Sequence, residues 1–154
     1  MNHQRRDALK TGGGLGIFGM LVAAGLIAPG SALARDQKVF DAKTIDEALA
    51  AMGAGKPAAS DAITVVAPDI AENGAVVPVG VSSNLPKTQA VSIMVEKNPN
   101  MVAANFTFAE GTLPEVQTRI KMGQTSDVYA IVKADGKFYM AKKEIKVTLG
   151  GCGG

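Results

Sequence analysis

The sequence predicts an all-β domain, an antiparallel β-sandwich of about seven strands preceded by one short helix. Three observations predict it. From Ile63 onward, short runs rich in Val, Ile, Thr, Phe and Tyr follow one another. Turn signals part them: Glu72 to Gly74, Asn84 to Pro86, Asn98 to Asn100, Glu110 to Pro114, Gly123 to Ser126, and Asp135-Gly136. Within several runs apolar and polar residues alternate, which is the pattern of a strand with one buried and one wet face.

Taken along the chain, residues 1–34 read as an export signal. Arg5-Arg6 precede an apolar run from about Leu15 to Ala28, and Ala32-Leu33-Ala34 offers small residues for cleavage. The run is short and glycine-rich, a poor match to the roughly 20 apolar residues of a membrane span. Arg5, Arg6, Leu9 and Lys10 stand where a twin-arginine signal has them, with Ala8 in place of a bulkier apolar residue. The expectation is export to the periplasm by that route, with no membrane attachment after cleavage.

A domain of 35–149 follows, with a helix at about 44–52 and a sandwich over about 62–149. Thr44 is placed to cap the helix, and Glu47, three residues on, completes a capping box. Ile45, Leu49 and Met52 share a face, and Gly53, Gly55 and Pro57 stop the helix. The strand runs are AITVVAP, AVVPVGVSS, TQAVSIMVEKN, NMVAANFTFAE, PEVQTRIKMG, SDVYAIVKADG and KFYMAKKEIKVTL. Asp135-Gly136 between the last two is a hairpin signal. Val91, Ile93 and Val95 alternate with Ser92, Met94 and Glu96, and Val116, Thr118, Ile120 and Met122 alternate with Gln117 and Lys121, so each strand should have one wet face. Pro78 should mark an edge strand or a bulge. The methionines read as core filler, and Lys142 to Lys146 as the solvated face of the last strand.

Composition excludes several functions. Once the signal leaves with Arg5, Arg6, Lys10 and Asp7, 13 basic and 13 acidic residues remain. A surface near neutrality gives no reason to expect nucleic acid as a partner. The single histidine, His3, leaves with the signal, and one cysteine remains. A His-based triad is therefore excluded, and neither a metal site nor a cofactor site is expected. No catalytic residue is assigned.

What remains is the end of the sequence, Leu149-Gly150-Gly151-Cys152-Gly153-Gly154. Glycine offers no side chain to pack and accepts almost any backbone angle. Gly150, Gly151, Gly153 and Gly154 thus read as a flexible arm (150–154) that ordering contacts do not repay in entropy. Three extended residues carry the Cys152 backbone about 10 Å past Leu149. An exposed thiol is a few per cent thiolate at neutral pH and a strong nucleophile. Nothing is fixed beside Cys152 to activate it. It fits a covalent attachment point that other proteins' active sites take up. A lone cysteine in an oxidising compartment also invites a disulfide-linked dimer.

The Gly150–Gly154 motif at the end of an exported domain of this size resembles SoxY, the substrate-carrier family of the bacterial Sox thiosulfate-oxidising system, and Pro68 to Val81 (PDIAENGAVVPVGV) resembles that family's early strand region. The resemblance implies an immunoglobulin-like fold and a non-catalytic carrier. Cys152 would hold sulfur intermediates as a cysteine S-thiosulfonate and then a persulfide. SoxA/SoxX would load thiosulfate, SoxB would release sulfate, and SoxCD, where present, would oxidise the remaining sulfur. The carrier would be a heterodimer with SoxZ. Two other readings stand beside it. A ubiquitin-like sulfur carrier would use Gly154 as a terminal thiocarboxylate, which the export signal opposes. A structural β-sandwich module would use Cys152 only for intermolecular cross-linking.

Overall fold

The computed structural model describes residues 37–151. Residues 1–36, with Arg5 and Arg6 of the expected export signal, and the segment Cys152 to Gly154 lie outside the described residues. Two short helices come first, α1 (Gln37–Asp41) and α2 (Ile45–Ala51). Nine strands follow: β1 (Ala58–Ala59), β2 (Ile63–Val66), β3 (Ile70–Asn73), β4 (Val77–Ser83), β5 (Thr88–Val95), β6 (Val102–Thr107), β7 (Glu115–Ile120), β8 (Ser126–Ala134) and β9 (Lys137–Leu149). All seven expected runs form strands. The additional two are β1 and β3, each paired in parallel with β9.

The strands build two sheets. One runs β1-β9-β8-β5-β6 with β3 also on β9, and the other runs β2-β4-β7. Between them lies a core of Val77, Val79, Val81, Val91, Ile93, Val95, Met122, Val128, Val132 and Ile145, among others. These side chains are almost wholly removed from water. Burying each contributes about 1.5–3 kcal/mol. Asp135 (φ +48°) and Gly136 (φ +74°) turn β8 into β9. Both central residues at positive φ is the geometry of the tight hairpin turn whose twist matches the strands it joins.

Helix α2 starts as expected, with the Thr44 hydroxyl accepting from the Glu47 N–H at 3.1 Å. The return half of the box differs. The Glu47 carboxylate accepts from the Lys43 N–H at 2.9 Å, one residue before the cap. The helical segment covers the outer face of β5 and β8. Val39, Ala48 and Leu49 pack with Met94, Val102 and Ile131 in a second apolar cluster. That corrects the expectation of a wet face on β5: Ser92 and Met94 are buried like Val91 and Ile93. The buried Ser92 hydroxyl is paired with Asn105 Oδ1 at 3.0 Å.

Pro78 is also corrected. It lies on β4, the central strand of its sheet, in register with Arg119 of β7. It is tolerated there because β2 reaches only as far as Gly80. Beyond that point one side of β4 has no neighbour in the sheet, so a missing N–H there forfeits no ladder bond on that side.

Candidate functional site

The sequence directs attention to the stretch after β9, and the structure shows how that stretch begins. Strand β9 is 13 residues long. Near its end it pairs with β3, with Ile70 opposite Lys146 and Asn73 opposite Leu149. The ladder does not stop at Leu149. The Gly74 N–H donates to the Leu149 carbonyl at 2.7 Å, the Met122 N–H donates to the Gly74 carbonyl at 2.7 Å, and the Gly151 N–H donates to the Met122 carbonyl at 3.0 Å. Three segments distant in sequence are thus tied by backbone bonds alone: the β3–β4 turn, the β7–β8 loop and the root of the arm.

The approach is close enough to demand glycine. A Cβ on Gly74 would run into the Met122 carbonyl and come within 2.8 Å of the Gly151 nitrogen and 2.9 Å of Val147 Cγ1. A Cβ on Gly151 would meet the Ala75 nitrogen and Cα at 2.8 Å, and one on Gly150 would run into the Gly123 carbonyl. None of these three glycines has a positive φ. Space, rather than an unusual backbone angle, accounts for their identity.

Each jaw is itself held. On one side the Asn73 side chain accepts from the Ala75 N–H at 2.9 Å, an Asx turn that shapes the turn around Gly74. On the other, Asn98 donates through Nδ2 to the Lys121 carbonyl at 2.7 Å and accepts from the Gly123 N–H at 3.1 Å. Those two bonds bracket Met122 and aim its carbonyl at the arm. The Met122 side chain is fully buried in the core. The Val147 N–H donates to Thr125 Oγ1 at 2.9 Å, and Thr148 Oγ1 donates to the Glu72 carbonyl at 3.0 Å. Exposed Val76 and Leu149 give the surroundings an apolar rim.

The first two residues of the expected arm differ in their surroundings. Gly150 is exposed, but Gly151 is buried and hydrogen-bonded. The sequence argument took glycine's lack of a side chain as a lack of contacts. Here that lack is what allows backbone to touch backbone. Cys152, Gly153 and Gly154 lie outside the described residues, as do Arg5 and Arg6. The residues that sequence reasoning missed are Gly74, Asn98 and Met122. Gly74 and Asn98 stand within turn signals, which named the turns and not what they grip.

Among the described residues, no group of three or more His, Cys, Asp or Glu is placed to hold a metal ion. Charge perturbation lies elsewhere, at mid-strand on β8 and β9. Burial, seconded by Glu96, raises the Tyr129 phenol above its ordinary value, and the 2.7 Å bond to Asp127 raises the Lys142 ammonium. Tyr129 and Lys142 face each other in register.

Comparison with known proteins bears on the whole domain. The family profile described as "Sulfur oxidation protein SoxY" matches residues 48–152. A search of curated proteins finds no match. Among solved structures, the sulfur carrier protein SoxY from Chlorobium limicola f thiosulfatophilum is 39% identical, with a TM-score of 0.64, covering 72% of this chain and 97% of that one. The superoxide reductase neelaredoxin from Ignicoccus hospitalis is 20% identical, with a TM-score of 0.50, covering 55% of this chain and 79% of that one, and shares the fold alone. The immunoglobulin-like sandwich and the extent of the profile match, from within α2 to the single cysteine, lead to one assignment: the chain belongs to the SoxY family of sulfur oxidation proteins.

Proposed function

We propose that this protein is a non-catalytic covalent carrier of sulfur intermediates, with Cys152 as the attachment residue. One observation carries the reading. The family match runs to residue 152, where the only thiol of the chain stands one residue past the clasped Gly151. The carrier role named for the Chlorobium protein supports it.

The chemistry follows from a thiol that another protein must activate. The Cys152 thiol loses its proton, and its sulfur bonds to the outer sulfur of thiosulfate. Two electrons leave to the c-type cytochrome pair SoxA/SoxX, giving the S-thiosulfonate. Water then cleaves the bond to the sulfonate sulfur at SoxB, releasing sulfate and leaving a persulfide on Cys152. Where SoxCD is present, it oxidises that remaining sulfur before SoxB acts again. The working unit is the heterodimer with SoxZ. The twin-arginine signal with Arg5 and Arg6 takes the folded chain to the periplasm.

The test is the intact mass of the protein isolated without reductant from cells oxidising thiosulfate. The expected result is a gain of one thiosulfate or of whole sulfur atoms, lost on reduction and absent in Cys152→Ser. A bare thiol or a plain cross-linked dimer from such cells overturns the carrier reading and favours a structural module.

A further inference from the structure

We infer that Gly74, with the Met122 carbonyl, is the positioning device of the arm: it clasps Gly151 so that the arm has a short, held state and a long, released one. The inference rests on Cys152 being the attachment residue. In the clasped state the last fixed residue is Gly151. The Cα of Cys152 is then about 3.8 Å from that of Gly151, whatever direction it takes. Released back to Leu149, the same residue reaches about 10 Å from the domain.

The geometry supports two states rather than one. Going from clasped to released breaks a single described hydrogen bond, Gly151 N–H to Met122 O, while Gly74 N–H to Leu149 O stays in place. No described side chain locks Gly150 or Gly151. Yet both jaws are preformed, one by the Asx turn at Asn73 and one by Asn98. The clasp therefore closes on a ready-made slot whose width admits only backbone. The short state keeps the Cys152 backbone within one residue of the held Gly151 and limits the thiol's encounter with a second copy of this chain. The long state presents it to an enzyme whose reacting atoms lie inside a channel.

Hydrogen exchange and a spin label test this on the full chain as isolated. The amides of Gly151 and Gly74 should exchange more slowly than unstructured glycine, by about two- to tenfold at Gly151. A nitroxide on Cys152 should broaden the amides of Ala75, Val76 and Gly123 most strongly. In Gly151→Ala, whose change follows the last strand and spares the sheets, the protection at residue 151 should vanish and the broadening should spread. Gly74→Ala should do the same, and its air-formed Cys152 disulfide between two copies should appear several-fold faster. If Gly74→Ala does not fold, Gly151→Ala carries the test alone. Full-speed exchange at Gly151 in the unaltered protein, or broadening unchanged in Gly151→Ala, overturns the clasp. None of these readings involves sulfur loading. A protein that never carries sulfur but shows the protected amides refutes the carrier role and leaves the clasp standing.

Discussion

Strand β9 has glycine at both ends, for opposite reasons. At its start, Gly136 sits at φ +74° with nothing within 4 Å of where a Cβ would stand. Past its end, Gly150 and Gly151 have no positive φ, and a Cβ on either would strike backbone. The first glycine is chosen by a dihedral angle and the second pair by proximity. A glycine thus marks either freedom of angle or absence of room, and only the surroundings say which. The arm root belongs to the second kind, so it is an attached segment where composition alone suggests loose chain.

Substitutions can separate the two ends. The largest stability effect is expected from Met122→Ala, which empties a fully buried site in the core and should cost about 2–5 kcal/mol. It keeps the carbonyl that holds Gly151. A thermal melt should show the large loss, and any fully folded fraction should retain the protected Gly151 amide. Asn98→Ala comes next. It leaves the Lys121 carbonyl and the Gly123 N–H without their partner, at about 1–3 kcal/mol. Exchange at Gly151 should quicken while the Asp135-Gly136 turn is unchanged, because Asn98 acts only on the arm's side of the molecule. The smallest effect is expected from Gly136→Ala, at about 1–2 kcal/mol for a left-handed residue with a Cβ. Its melting temperature should fall by a few degrees with no change at the arm root, and Gly136→Asn should recover part of the loss. If Gly136→Ala altered exchange at Gly151, the two ends of β9 would not be independent.

These tests also mark what the sequence could and could not say. The seven expected strands, α2 with its Thr44 cap and the Asp135-Gly136 turn are written locally, in periodicity and turn chemistry. Strands β1 and β3 are not. Each is short and finds its partner in β9, far along the chain, and Glu72-Asn73 at the end of β3 also reads as part of a turn. The second buried face of β5 depends on a helical segment more than 30 residues earlier, so alternation along β5 itself misleads. Cys152 stands out in the sequence because it is unique. Its support does not, because Gly74 and Met122 act through backbone atoms, and Asn98 is one asparagine in a turn-forming triplet. In the clasp itself, a single backbone bond is worth about 0.5–1.5 kcal/mol net, so an open population on the order of a tenth follows.

Strand β9 also governs when the molecule can exist at all. It is the partner of β1, β3 and β8, and at 13 residues it spans roughly 40 Å. A nascent chain still lacking it has an unfinished sheet and an open core, so folding must wait until β9 has been made. A product truncated before β9 loses the thiol and the completed sheet together. The segment that completes the domain is thus the one that leads into the cysteine.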